Sequence, residues 1–113
     1  MPKRTLDPLP SAAFHILLAL ADEPLHGYGI MREVADQTGG RMRLGPGTLY
    51  GSIRTLLQEG LIEEIDRNEP EAERRRYYKL TPDGRKLARN EAARLADLLR
   101  VARAKKMLRG EHV

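Results

Sequence analysis

The chain has 113 residues, 41% hydrophobic and 32% charged, a balance that fits one globular domain and argues against a disordered chain. It holds no cysteine, which excludes disulfide frameworks, thiolate metal sites and cysteine nucleophiles. Twenty basic residues against 16 acidic ones leave a formal charge of +4, an excess that favours an anionic partner such as nucleic acid.

The first periodic segment runs from Ser11, placed as an N-cap after Pro10, to Asp22. Phe14, Leu17, Leu18 and Ala21 share one face, with Ala13, Ile16 and Leu20 beside them, so this helix is expected to be buried on more than one side. A second helix is predicted from His26 to Thr38, with Ile30, Met31 and Val34 facing inward and Gly39-Gly40 stopping it. Gly27 and Gly29 are poor helix formers, and they either allow close backbone packing or mark a frayed first turn. The third helix starts at Pro46 or Gly47, after a short basic link with Arg41 and Arg43, and Gly60 ends it. Leu49, Ile53, Leu56 and Leu57 follow helical spacing along it. Two helices on a short link, after a buried one, match the helix-turn-helix pattern.

LIEEI at 61–65 and RRYYKL at 75–80 then read as two strands around a polar turn, a hairpin in the position of a wing. Strand alternation puts Tyr78 with Leu80 and Tyr77 with Lys79, so one tyrosine is expected in the core and the other on the surface. Thr81-Pro82-Asp83 opens the last helix, with Thr81 as N-cap, and the pattern extends to Arg109. Leu87, Ala88, Ala92, Leu95, Leu98, Leu99 and Ala102 form one stripe of it, with Arg85, Arg89, Arg100 and Arg103 mainly opposite. A body of about 80 residues is only about 25 Å across and cannot cover a stripe of roughly 40 Å. An identical helix in a second subunit is the simplest cover, so a homodimer is expected, paired through Leu87, Leu95, Leu98, Leu99 and Ala102.

The fold class is therefore mainly α with a small β-hairpin. Residues 1–80 are read as a winged helix-turn-helix and 81–113 as a dimerisation helix and tail, within one compact unit.

Thr48, Tyr50, Ser52, Arg54 and Thr55 fall on the outward side of the third helix. Hydroxyls bond base edges and phosphates, arginine chelates a guanine edge, and tyrosine stacks on sugar or bonds phosphate. The helix start adds free amides for a phosphate. Arg43 in the link and Arg74, Arg75 and Arg76 at the second wing strand complete a candidate surface for double-stranded DNA. The charge is uneven: residues 63–73 carry −5, 74–79 carry +4 and 85–109 carry +7. The acidic loop repels phosphate, so Arg74 or Arg75 alternatively pairs with Glu71 or Glu73.

Other chemistries find little support. Gly45, Gly47 and Gly51 are spaced one residue too long for a dinucleotide fingerprint, and no strand precedes them. His15, His26 and His112 show no metal-ligand spacing, and no Ser/His/Asp set can be placed, so neither catalysis nor a metal or cofactor is expected. His15 reads as surface or packing, and His26 either caps the second helix or touches DNA. Glu91 interrupts the apolar stripe; Arg94 is the plain partner, and a polar group lining an effector cavity between subunits is the alternative. No apolar run approaches a membrane span, and the first residues lack a signal peptide's apolar segment, so a cytoplasmic protein is expected. A rival class is a protein-interaction adaptor, using the winged helix as a dock and the last helix to pair with a foreign helix.

FHILLALADEPLHGYGI, LGPGTLYGSIRTLLQEGLIE and RRRYYKLTPDGR together resemble the PadR family of bacterial transcription regulators, across about residues 10–86. The single short segment after the wing is similar to that family's smaller branch. The resemblance implies a winged helix-turn-helix homodimer that binds a palindromic promoter site, usually as a repressor. It also implies that the helix from Pro46 to Gly60 reads the major groove, with Tyr50 of GTLYG on DNA, Thr48, Ser52 and Arg54 beside it, and the basic wing on Arg74–Arg76. Some smaller-branch members bind flat aromatic effectors between subunits through aromatic residues of the last helix; Leu95 and Leu99 stand there instead, and no aromatic follows Tyr78.

Overall fold

The computed structural model describes residues 9–70 and 75–110. The order is α1 (Ser11–Ala19), β1 (Leu25–His26), α2 (Gly27–Gln37), α3 (Pro46–Gln58), β2 (Ile62–Ile65), β3 (Tyr77–Leu80) and α4 (Pro82–Ala104). The mainly helical architecture with a small β wing is as expected, but several boundaries differ for identifiable reasons.

Pro10, not Ser11, occupies the N-cap of α1: it is extended, at φ −62° and ψ 148°, and its carbonyl accepts the Phe14 N–H at 3.0 Å. Ser11 is already helical and makes no cap bond. The helix closes at Ala19, short of Asp22, because the last turn tightens and the Ala21 N–H reaches the Leu18 carbonyl at 3.1 Å. Leu18, expected on the inner face, is exposed.

α1 lies against α2, α3 and α4. Ile16 and Leu17 of α1, Ile30 and Val34 of α2, and Leu49, Ile53 and Leu56 of α3 form the core with Leu61, Ile62, Tyr78 and Ala88. Every buried side chain among the described residues is apolar or tyrosine, so the core is held by apolar burial. Between α2 and α3, the Thr38 hydroxyl donates to the Val34 carbonyl at 2.9 Å and accepts the Met42 N–H at 3.0 Å, which sets the turn.

The hairpin expected from residues 61–65 and 75–80 gains a third strand. β1 pairs antiparallel with β3, giving the order β1-β3-β2. Leu25 faces Tyr78 and His26 faces Tyr77, while Glu63 faces Lys79 and makes a 3.2 Å ion pair with it. Tyr78 is the core tyrosine and Tyr77 is half-buried, as alternation predicts.

The corner into α4 is tightly bonded. The Thr81 hydroxyl donates to the Gly60 carbonyl at 2.7 Å and accepts the Gly84 N–H at 3.0 Å, while the Thr81 N–H reaches the Leu61 carbonyl at 3.2 Å. Gly60 has φ +72°, the left-handed geometry that glycine adopts without penalty. At Gly84 a Cβ would run into the Leu61 carbonyl oxygen, so glycine is the residue that lets α4 dock here.

α4 ends at Ala104 and not at Arg109. Lys106 turns left-handed, φ 61°, and the Met107 N–H closes back on the Ala102 carbonyl at 2.9 Å. That is a Schellman-type stop with lysine in the place usually held by glycine, so composition gave no warning of it. The helix is about 35 Å long at 1.5 Å per residue. Its first turns pack on the body through Leu87 and Ala88, and residues 92–101 are exposed throughout.

Candidate nucleic-acid interface

α3 starts with Gly45 at its N-cap and Pro46 in the first turn, where a missing N–H costs nothing. Its first backbone bond runs from the Leu49 N–H to the Gly45 carbonyl at 2.9 Å, so the Gly47 and Thr48 amides stand ahead of the helix's own ladder. With Leu49, Ile53 and Leu56 buried, the helix has its orientation fixed, and its polar side is left to solvent. Thr48, Tyr50 and Arg54 are exposed; Ser52 and Thr55 are half-buried. The Thr55 hydroxyl donates to the Gly51 carbonyl at 3.1 Å, which turns it back onto its own helix. Leu57, expected on the inner face, lies at its edge and is partly exposed.

Beside α3 opens a shallow groove of about 610 Å³. His26, Gly27 and Tyr28 wall it at the start of α2, with Arg32 one turn further. Tyr50 enters from α3, and Arg75, Arg76 and Tyr78 close it from the β3 side. Three guanidiniums and four rings thus line one concavity continuous with the outward face of α3. Arg75 and Arg76 are exposed and precede β3, which starts at Tyr77 and not at residue 75 as expected; Arg74, with Glu71, Glu73 and His112, lies outside the described residues. Arg43 is exposed in the α2–α3 link, its guanidinium above Gly40.

Sequence reasoning missed Tyr28 and Arg32. Tyr28 is 62% exposed, and the Arg32 guanidinium carbon lies 6.0 Å from its ring centroid. The signal was present: the two residues are four apart, on the side of α2 away from Ile30 and Val34.

His26 joins this groove to the wing. Its Nδ1 accepts the Gly29 N–H at 3.1 Å, the capping role foreseen for it, and this requires an unprotonated Nδ1. Its ring stacks near Tyr28 (centroids 6.4 Å, interplanar 12°) and meets Tyr77 edge-on at 5.3 Å. The Arg67 guanidinium lies 4.8 Å from the Tyr77 centroid, and the Tyr77 hydroxyl donates to Glu69 Oε2 at 3.2 Å. Burial holds the His26 imidazole below its ordinary pKa of 6.5, Arg75 lowers it further, and Glu69 opposes both. The Tyr78 hydroxyl is pushed above 10.0 by burial first and then by Glu64.

Glu91 takes the plain partner: Arg94 donates from Nε and Nη2 to its two oxygens at 2.8 and 2.7 Å. That bond holds the Glu91 carboxyl below the usual carboxylate range. Of the proposed pairing residues, Leu87 packs on its own chain's core and Ala102 is half-buried, whereas Leu95, Leu98 and Leu99 are 38%, 53% and 46% exposed. Val101, at 51%, lies beside them. His15 is half-buried and donates from Nδ1 to the Ser11 carbonyl at 2.7 Å. Among the described residues, no group of three His, Asp or Glu side chains is placed to hold a metal, and no helix is long and apolar enough to cross a membrane.

A family model described as the transcriptional regulator PadR-like family matches residues 16–90. The chain is 33% identical over 86 residues to a transcriptional regulator of Mycobacterium tuberculosis, covering 76% of this chain and 77% of that protein. It is 42% identical over 83 residues to an uncharacterized 37.1 kDa transposon protein of Streptomyces fradiae, covering 74% of this chain but only 22% of that protein's length. Among solved structures, a transcriptional regulator from Clostridium thermocellum superposes with TM-score 0.71 at 25% identity, over 81% of this chain and 89% of that one. Bacillus subtilis PadR in complex with operator DNA gives TM-score 0.66 at 21% identity, over 75% of this chain and 48% of that one.

Proposed function

Since the chain belongs to the PadR-like family of transcriptional regulators, we propose that it acts as a sequence-specific, homodimeric repressor on a palindromic promoter site. The observation that carries this reading is the continuous polar face formed by α3, with Tyr50 and Arg54, and the adjoining groove lined by Arg32, Arg75 and Arg76. α3 enters the major groove; Arg54 and the Thr48 and Ser52 hydroxyls read base edges, and Tyr50 bonds the sugar-phosphate edge. Thr55 contributes chiefly to the helix surface, because its hydroxyl is bonded to Gly51. Arg43, Arg75 and Arg76, with the newly placed Tyr28 and Arg32, meet the flanking phosphates, where charge gives affinity without sequence information. The same fold carries operator DNA in the Bacillus subtilis protein, which supports this placement.

The exposed leucines of α4 pair with their copies in a second chain, and the dimer sets two α3 helices about 34 Å apart, one turn of DNA. A small-molecule effector would act at that interface by changing this spacing. It would not meet aromatic walls there, since leucines line the stripe.

The test is binding to the duplex that the wild-type protein selects from a random-sequence library. Arg54→Ala is expected to lose about 1–3 kcal/mol and relax preference at one base position. Tyr50→Ala is expected to weaken binding to all sequences. Wild-type affinity and preference in both variants would remove α3 from the interface.

A further inference from the structure

Gly27 begins α2 directly beneath the ring of Tyr50. A Cβ built on it would lie 2.6 Å from the Tyr50 hydroxyl oxygen, 3.1 Å from Cζ and 3.2 Å from Cε1. The three nearest atoms all belong to one side chain of another helix. The backbone does not demand glycine here: among the described residues the positive-φ glycines are Gly39, Gly40, Gly60 and Gly110. Alanine would suit the conformation and favour the helix. Gly29, two residues on, is the internal contrast, since a Cβ there meets Leu25 and His26 only at ordinary distances of 3.5–3.6 Å.

Tyr50 is 51% exposed, so the core does not clamp its ring. What stands beneath the hydroxyl end is Gly27, with Arg76 and Tyr78 sharing the adjoining wall of the groove. A methyl group at residue 27 would push the far end of an exposed side chain by roughly an ångström to restore normal contact, without moving backbone.

We propose that Gly27 is a positioning residue for DNA recognition: its missing side chain seats the Tyr50 ring across the α2–α3 junction and sets where the Tyr50 hydroxyl stands on the reading face. This rests on α3 being the DNA-reading helix. The seat explains a glycine retained at a helix start where alanine would be the better helix former, and it makes one residue of α2 answer for the aim of one residue of α3.

Gly27→Ala, alone and with Tyr50→Ala, tests it against the duplex selected by the wild-type protein. The single substitution is expected to hold or raise the thermal midpoint while lowering affinity about tenfold, the scale of one misplaced contact. In the Tyr50→Ala background it is expected to cost nothing more, because the displaced ring is gone. NMR of ring-labelled tyrosines in free protein gives a reading independent of DNA: the Tyr50 signals shift in Gly27→Ala, the Tyr77 signals stay, and Gly29→Ala moves neither tyrosine at residues 50 and 77. Unmoved Tyr50 signals, an unfolded Gly27→Ala protein, or an equal affinity loss with and without the Tyr50 ring would each overturn the proposal. Wild-type binding by Tyr50→Ala would instead bring down the reading of α3, and with it the recognition role of Gly27, while the NMR shift would still report the seat.

Discussion

α3 and the distal half of α4 are both amphipathic, yet they stand in opposite relations to the rest of the chain. In α3 the apolar stripe of Leu49, Ile53 and Leu56 is covered by the body, and apart from Leu57 at its edge the side chains left outside are mostly polar, among them the hydroxyl of Thr48, the phenol of Tyr50 and the guanidinium of Arg54. In α4 beyond Glu91 the apolar stripe itself is outside: Leu95, Leu98 and Leu99 are exposed although their periodicity is that of a core. A helix with a satisfied stripe offers water a polar face that needs no partner to fold and can be given to DNA. A helix with an unsatisfied stripe is what the proposed pairing with a second copy would complete, and the exposed Leu18 of α1 borders it beside Ala92. The α3 side should therefore respond to substitution in binding, and the α4 side in assembly.

The sharpest way to separate them is Leu95→Glu/Leu98→Glu. The proposed dimer would bury four such leucines, each already about half covered in one chain and so contributing about 1 kcal/mol, and the association constant is expected to fall by about a thousandfold. Sedimentation at micromolar protein should show a monomer, with helix content kept because glutamate is a good helix former at exposed positions. An unchanged sedimentation coefficient would show that the stripe pairs with something other than its copy. It would revive the adaptor reading, in which α4 receives a foreign helix.

Gly84→Ala strikes the body where α4 leaves it. The added methyl meets the Leu61 carbonyl, which is backbone and already bonded to the Thr81 N–H. We expect a loss of about 3 kcal/mol in urea unfolding, near the upper end for overpacking. A loss under about 0.5 kcal/mol would mean that the corner yields.

These regions also divide what the sequence revealed from what it did not. The helix order, the inner face of α2, that of α3 apart from Leu57, the burial of one tyrosine of the 77–78 pair and the Glu91–Arg94 pair were all readable, because periodicity and spacing encode them locally. β1 was not, since two residues cannot display an alternation and its pairing partner lies 53 positions away, Leu25 opposite Tyr78. The end of α4 was not either, because lysine, and not glycine, holds the left-handed position. The groove escaped for a third reason: Tyr28, Arg32, Tyr50 and Arg75 come together only when α2, α3 and β3 have packed, and no single segment shows it.

A smaller effect joins the groove to pH. The lowered His26 pKa means that a proton favours the unfolded chain, so the stability it contributes is complete above its ordinary value of 6.5 and is lost as pH falls through the lower folded value. A proton on Nδ1 would also remove the acceptor of the Gly29 N–H. The urea midpoint should fall between about pH 7 and about pH 5, and less steeply in His26→Asn, which keeps a capping oxygen and does not titrate. Parallel slopes in the two proteins would assign the fall to other groups.

The finest test returns to α3. Gly51 is exposed in mid-helix, and a Cβ there would meet nothing within 4 Å, so neither packing nor conformation within the chain calls for glycine. Such a residue costs a helix roughly 0.5–1 kcal/mol relative to alanine. Its neighbour Thr55 spends its hydroxyl on the Gly51 carbonyl, which keeps that strip of the helix low and smooth. If the outer face of α3 lies close against a groove floor, Gly51→Ala must stabilise the free protein by about that amount and weaken operator binding at the same time, because the methyl occupies space left for bases. Opposite signs in urea unfolding and DNA titration would show that the sequence gives up helix stability at this position for approach to DNA. A variant that is more stable and binds with undiminished affinity would show that DNA does not come within a methyl's reach of Gly51, and the contacts of α3 would then have to be carried by its longer side chains, Tyr50 and Arg54.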